Sequence, residues 1–367
     1  MAISLLFLPD ISGYTQFVQS TEIEHSQHVI AELLEVLIKA NTYGMELAEI
    51  EGDALFFYLE AKVLPPADML LLVEQMFTAF HSHLALLQRN RICPCNACKK
   101  APDLKLKIIA HAGSLEFLDI RGNHKPFGPS VIEAHRLMKN SVPHDSYFLI
   151  SDALGKAMET TINDTELFSF TSGKDVYDGA PIGYTYAFID DQRLKLYPHE
   201  LPKFMAFDRN ADHVLHQDFP VSANTLLELL TNYRFRDEWL TGVDEFRYTN
   251  TEVTRLGTEH VCVINGKHLN FVTVSKKAPE GVLVYGEETH DTPVVDTLWQ
   301  FYLIRAVDEH SCALTLELFW EVQNWGKRLL FNLALKRLFK ANAKKALAGL
   351  LYFAEGYNDL KIETTLN

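Results

Sequence analysis

The sequence predicts two α+β units in one chain, on three observations. Strand and helix patterns alternate through the first half. A polar stretch with Pro198 and Pro202 interrupts them, and six strand patterns with one long helical pattern follow. The expected units are residues 1–192 and 211–360, with 193–210 as linker. A length of 367 residues suits two domains, and 47% hydrophobic residues can fill their cores.

The first unit opens on an apolar strand, Ile3 to Leu8, closed by Pro9-Asp10. Residues 24–41 repeat apolar side chains at helical spacing, with Ile30, Leu33, Leu34, Leu37 and Ile38 on one face. Strands over 44–50 and 54–59 flank Gly52-Asp53 at hairpin distance. A second long helix covers 66–89 through Met69, Leu72, Val73, Met76, Phe77 and Phe80. A polar, cysteine-bearing loop at 90–103, a strand at 104–112 and a loop at 122–127 come next. A helix begins near Pro129, where proline suits the first helical position. Strands near 147–150, 166–171 and 183–189 complete the unit.

The second unit opens with a strand from Val214 to Phe219 and helical segments at 222–232 and roughly 235–240. Strands near 245–250, 259–264, 268–275, 283–289, 297–305 and 311–320 precede a helix over about 325–357.

Composition narrows the function classes. A net charge of −14 argues against nucleic acid as a partner, which needs a basic footprint. The N-terminus lacks a basic region before its apolar run, and no uncharged apolar stretch reaches about 18 residues. No transmembrane segment is therefore expected. Five cysteines, three of them clustered, do not make a disulfide framework, which fits a reducing, cytoplasmic compartment.

Asp10 and Asp53 each stand where a short apolar strand ends. Hard divalent cations take carboxylate oxygens together with substrate phosphates, and two such ions can clamp both oxygens of an in-line displacement. A pair of strand-end carboxylates on a rigid sheet therefore points to phosphoryl transfer. The alternative is that each Asp caps a turn.

Four segments in order then resemble class III nucleotidyl cyclases. They are Phe7-Leu8-Pro9-Asp10-Ile11-Ser12-Gly13-Tyr14-Thr15, Glu49-Ile50-Glu51-Gly52-Asp53-Ala54, Lys107 to Gly113, and Gly128 to Leu137. The resemblance implies a ferredoxin-like cyclase domain that turns GTP or ATP into a 3′,5′-cyclic nucleotide and pyrophosphate. It implies two Mg²⁺ or Mn²⁺ ions held by Asp10, Asp53 and the Ile11 carbonyl. Ser12, Gly13 and Tyr14 would cradle phosphate, and Arg136 would meet charge on the transferred phosphoryl group. A surface ion pair with Glu133 is the other reading of Arg136. The resemblance also implies a homodimer.

Several positions depart from that pattern. Ile132 stands where the cyclases carry a transition-state asparagine. Glu49 stands at the base-selecting position, as in guanylyl cyclases, or is a solvated strand residue. Lys125, near the second base-contacting position, matches neither subtype, and no phosphate-binding lysine occurs at 178–182. The stretch Phe127 to Arg136, with the three-cysteine loop, also resembles an uncharacterised bacterial family of cyclase-like proteins, DUF2652.

Cys93, Cys95 and Cys98 place three thiols in six residues. They suit Zn²⁺ if a fourth ligand comes from elsewhere, His111 and His124 being candidates. A reactive cluster activated by Arg89, Arg91, Lys99 and Lys100 and an inert loop are the alternatives. His25 with His28, and His81 with His83, read as solvated faces.

The element order of the second unit resembles the helix-grip fold of START/Bet v 1-like (SRPBCC) proteins. That resemblance implies an apolar cavity for a lipid or other hydrophobic small molecule, which Trp239, Trp299, Phe301, Trp320 and Phe331 could line, unless they fill a core. The final helix joins leucines (Leu329, Leu330, Leu333, Leu338, Leu347, Leu350, Leu351) to a basic face with Lys327, Arg328, Lys336, Arg337, Lys340, Lys344 and Lys345. The basic face reads first as solvated surface, with anionic lipid or triphosphate as the alternative partner. A nucleotidyl cyclase tuned by a ligand is thus the leading expectation. A degenerate cyclase-fold sensor or carrier is the runner-up, and a polyketide cyclase-type enzyme using His260, His268 or Glu287 comes third.

Overall fold

The structure is a computed structural model and describes residues 2–159, 162–199, 204–249, 252–293 and 295–365. Two units divide the chain: Met1–Gln88 with Lys99–His199, and Glu200–Asn367 with Arg89–Cys98. Residues 200–203 of the expected linker, and residue 250 at the end of an expected strand, lie outside the described residues.

The first unit runs β1 (Ser4–Ser12), α1 (Tyr14–Gln19), α2 (Ile23–Lys39), β2 (Glu46–Glu51), β3 (Ala54–Leu59) and α3 (Pro66–Arg89). After a loop with the short helix α4 (Asn96–Lys100) come β4 (Lys105–Gly113), β5 (Glu116–Ile120), β6 (Asn123–Phe127), α5 (Pro129–Leu137) and β7 (Tyr147–Ser151). Helix α6 (Asp152–Ala157) and the hairpin of β8 (Phe170–Tyr177) and β9 (Ala180–Phe188) close the unit. Seven strands make one sheet in the order β2-β3-β1-β4-β7-β9-β8, with only β4 and β7 parallel.

Burial explains the sequence of each strand. β1 is central and buried from Ser4 to Ile11, so it reads as a continuous apolar run rather than an alternation. β2 is an edge, and its Glu46, Glu49 and Glu51 face water, a charge pattern that discourages edge-to-edge pairing. One sheet face packs Leu6, Leu8, Phe56, Ile109 and Leu149 against Ala134 and Leu137 of α5. Helix α3 is long and apolar enough to cross a membrane by composition, and 56% of its most apolar stretch is buried in the protein.

Two hairpins differ from expectation. The strand expected at 166–171 starts later, as β8, and pairs with the expected strand at 183–189, β9, in a hairpin turning at Asp178-Gly179 with φ of 49° and 81°. The loop expected at 122–127 is half of the β5–β6 hairpin, turning at Arg121-Gly122 with φ of 53° and 81°. Consecutive positive φ values match hairpin turns whose twist suits the flanking strands.

The second unit runs β10 (Phe204–Met205), β11 (His213–Phe219), α7 (Ala223–Thr231), α8 (Arg236–Trp239), β12 (Glu245–Tyr248), β13 (Glu259–Ile264) and β14 (Lys267–Lys276). It continues with β15 (Val282–Thr289), β16 (Thr297–Ala306), β17 (Cys312–Glu321), α9 (Trp325–Leu330), a π turn over Phe331–Leu335 and α10 (Lys336–Thr365). The sheet order β11-β17-β16-β15-β14-β13-β12 is an antiparallel meander whose first strand returns beside the last, with β10 added along β14. Helix α10 packs on α8 and β11. A Cβ on Gly349 would stand 2.4 Å from the Trp239 carbonyl, so only glycine permits the helix to pass so close.

The five aromatics expected around one cavity divide between the two sheet faces. Trp239, Trp320 and Phe331 join the core beneath α7 and α10, whereas Trp299 and Phe301 pack with Phe319 and Phe207 on the other side. They do not line a common space. The leucines of the final helix divide too. Leu347 and Leu350 are buried, while Leu329, Leu330, Leu333 and Leu338 face solvent.

Candidate functional site

Strand pairing alone brings the acidic residues of the first unit to one end of the sheet. Asp10, near the end of β1, lies opposite Ala54 of β3 on one side and Lys107 of β4 on the other. Asp53 immediately precedes Ala54, and its backbone carbonyl accepts a hydrogen bond from the Ile11 N–H at 3.1 Å.

The charges there are incompletely balanced. Burial raises the Asp10 carboxyl above its ordinary range, and the Lys107 ammonium, 3.6 Å away, pulls it back down in part. Burial first, and the Asp10 charge second, push Asp53 up to about 6. Lys107 also donates to the Met138 carbonyl at 3.4 Å, just past α5. Two carboxylates thus share one ammonium, which leaves room for a further cation. Carboxylate oxygens with a backbone carbonyl suit Mg²⁺ or Mn²⁺, so the donor chemistry fits such ions.

The other expected site residues are in varied states. Ile11 is buried in β1, and Ser12, Gly13 and Tyr14 lead into α1, a helix of only six residues. Glu49 pairs with Lys125 at 3.1 Å, with both side chains partly exposed. Arg136 pairs with Asp178 at the β8–β9 turn, not with Glu133. Glu133 instead lies 3.4 Å from the buried His111 ring, which also bonds Ser151 at 2.9 Å and which burial lowers to about 4. Ile132 is 53% exposed and offers no polar contact. Sequence reading missed Lys107 and Asp178. The Asp-Gly pair could have announced the second, whereas the first needs the β1–β4 register.

The sulfurs of Cys93, Cys95 and Cys98 all lie within 4.8 Å of one another, which suits three ligands of one metal ion. Backbone N–H groups of Cys95 and Cys98 donate to the Cys93 and Cys95 sulfurs at 3.4 and 3.3 Å. Hydrogen bonding from Cys93 and Cys95, and then burial, raise the Cys98 thiol, opposite to the lowering expected from nearby cations. His25 is buried rather than solvated. His124 stacks on Phe117 and bonds Asp119 at 2.8 Å, and His111 bonds Ser151, so other partners engage both expected fourth ligands.

A second polar cluster is sealed in the second unit. Arg236, Glu287 and His260 are almost wholly buried, with Arg236 paired to Glu287 and donating to the Tyr285 hydroxyl at 2.8 Å. Gln300 and Tyr285 also donate to Glu287, and the His260 Nε2 lies 3.6 Å from it. Burial would raise the Glu287 carboxyl, but Arg236 outweighs it and holds the group below its ordinary range. Burial lowers His260 to about 4, which keeps it neutral. His268, the third residue considered there, faces solvent.

The family described as "Protein of unknown function (DUF2652)" matches residues 30–147. The uncharacterized protein Rv2561/Rv2562 of Mycobacterium tuberculosis (strain ATCC 25618 / H37Rv) is 31% identical over 137 residues, 36% of this chain. The match covers 62% of that protein, less than two thirds of its length. Among solved structures, the chain is similar to the catalytic core of a rhodopsin-guanylyl cyclase with converted specificity, in complex with ATPalphaS. That likeness has a TM-score of 0.38 and 14% identity, covering 51% of this chain and 96% of the other. The adenylyl cyclase CyaB from P. aeruginosa gives a TM-score of 0.38 and 16% identity, over 52% of this chain and 96% of its own. The guanylate cyclase domain of RhGC from Catenaria anguillulae, in complex with GTP, gives 0.36 and 14%, over 51% and 97%. The chain, an α+β protein, thus carries at residues 30–147 a match to a family of unknown function.

Proposed function

We propose that the first unit is a nucleotidyl cyclase, converting GTP or ATP to a 3′,5′-cyclic nucleotide and pyrophosphate. The observation that carries this reading is the placement of Asp10 and Asp53 at one end of the sheet, close enough for one charge to raise the other's pKa. Mg²⁺ or Mn²⁺ bound there would activate the ribose 3′-hydroxyl and neutralise the triphosphate.

The chain's own residues take the remaining roles. Asp10, Asp53 and the Ile11 carbonyl hold the cations, and the backbone from Ser12 to Tyr14 meets the phosphates. Glu49 and Lys125 face the base after their pair opens. Arg136 leaves Asp178 to meet charge on the phosphoryl group, at small cost because an exposed ion pair contributes at most about 1 kcal/mol. A homodimer would complete the site. The second unit is read as a helix-grip carrier for a hydrophobic ligand that tunes output, and the chain as cytoplasmic.

Purified protein incubated with Mn²⁺ and each of ATP, GTP, CTP and UTP tests this reading. Cyclic product from one purine nucleotide, absent with Asp10→Ala, is expected. No product, or product unaffected by that substitution, overturns it. The exposed Ile132 favours a second reading, nucleotide binding without turnover. Saturable nucleotide binding with no cyclic product would select it.

The thiol cluster supports a further assignment, a structural Zn²⁺ held by Cys93, Cys95 and Cys98. Metal analysis of the purified protein checks it. Zinc at one equivalent, lost in Cys95→Ser, is expected.

A further inference from the structure

The final helix presents a surface that a water-facing helix rarely carries. Trp325, Leu329, Leu330, Leu333 and Leu338 are all exposed, Trp325 by 74% and Leu333 by 78%. Along α9, residues 325, 329 and 333 follow one another at helical spacing and so share a face. The π turn over Phe331–Leu335 takes up an extra residue, which brings Leu338 round to the same side. Exposed Arg328, Arg337, Lys344 and Lys345 accompany these leucines, on a chain whose net charge is −14.

Cationic character deepens at the start of this helix. Arg328 and Lys336 join Arg209 around a surface pocket of about 460 Å³ that Asp212 and Glu321 also line. Arg209 is paired to Asp212, which leaves Arg328 and Lys336 as the cations facing Glu321.

We infer that this helix face docks onto a membrane surface containing anionic lipid. A tryptophan and leucines flanked by arginine and lysine are what an interfacial helix needs: apolar side chains enter the acyl boundary while cations meet the headgroups. A second copy of the chain fits less well. A symmetric contact would press the same patch against itself, setting Arg337, Lys344 and Lys345 of one copy against those of the other. The helix lies on the surface rather than spanning the bilayer, because its opposite side, with Phe331, Leu347 and Leu350, is committed to the core.

Sedimentation of the full chain with vesicles tests the inference. One vesicle set is phosphatidylcholine alone, and the other an equal mixture of phosphatidylcholine and phosphatidylglycerol. Binding to the mixture and little to phosphatidylcholine is expected, weakened by salt and accompanied by a blue shift of Trp325 emission. The other three tryptophans are buried, so Trp325 is the natural reporter. Leu333→Glu should abolish binding, and Lys344→Ala with Lys345→Ala should weaken it by about tenfold. All three positions are exposed, and an unchanged melting temperature confirms that folding is retained. No binding to the anionic vesicles, or binding that survives Leu333→Glu, overturns the inference. So does a dimer in solution that Leu333→Glu dissociates, which would assign the face to a second copy.

Discussion

The two units manage buried charge in opposite ways. In the first, Asp10 and Asp53 share the single ammonium of Lys107, and Asp53 is pushed up to about 6. In the second, Glu287 is enclosed by Arg236, Tyr285 and Gln300, and its carboxyl stays below the ordinary range. The first cluster is left short of positive charge, whereas the chain itself completes the second. An acidic cluster that its own protein neutralises holds a fold together; the proposed function rests on the one left short of a cation.

Substitutions can break this contrast, beginning with the largest effect. Asp10→Ala should remove Mn²⁺ binding by calorimetry and reduce cyclic nucleotide formation by about a thousandfold or more, since metal stabilisation supplies several kcal/mol. Retained Mn²⁺ affinity would mean that the first cluster is as self-sufficient as the second. Next, Arg236→Met should destabilise the protein by about 3–5 kcal/mol in urea unfolding, because Glu287 is left buried without its counter-charge. Adding Glu287→Leu should recover most of that loss. If the single substitution is tolerated, the cluster is not a structural pair.

Two smaller effects sharpen the comparison. Lys107→Met should tighten Mn²⁺ binding about tenfold, an affinity gain of about 1.4 kcal/mol, because the ammonium no longer competes for Asp10. Unchanged affinity would show that Lys107 does not compete with the cation. The last effect is on pH dependence. Asp53 has a folded pKa of about 6, above its ordinary 3.8, so the folded state binds this proton more readily than the unfolded chain. Its contribution therefore favours folding at acid pH and is lost as pH rises through about 6. Allowing for solvent screening, the amount is about 1 kcal/mol. The melting temperature of metal-free wild type, measured relative to Asp53→Asn, should fall between pH 4 and 7.

Much of the fold could be read in the sequence, because long apolar periodicities survive without tertiary help. Helices α2 and α3 and the six strands from β12 to β17 lie close to where spacing put them. Strand β8 did not, because Thr171, Ser172, Lys174 and Asp175 on an edge strand resemble loop residues. The aromatic cavity failed on parity. Trp299 and Trp320 lie on neighbouring strands, but Trp320 is registered with Leu298, so the two indoles face opposite sides. Asp10 and Asp53 were legible from their strand ends. Lys107 was not, since its role comes from a pairing between strands distant in sequence. Arg236 was equally hidden, as arginine on a short helix is usually a surface residue.

The wide turn at Phe331–Leu335 has a consequence for how this chain tolerates changes in length. Deleting one residue there would restore uniform winding and leave everything beyond it close to its present rotation, because the wide turn already absorbs one extra residue. Leu347, Leu350 and Ala354 would then keep the facing from which they close the core. A one-residue deletion should therefore be better tolerated in this stretch than in the uniformly wound part of the helix, where it would turn everything beyond by about 100°.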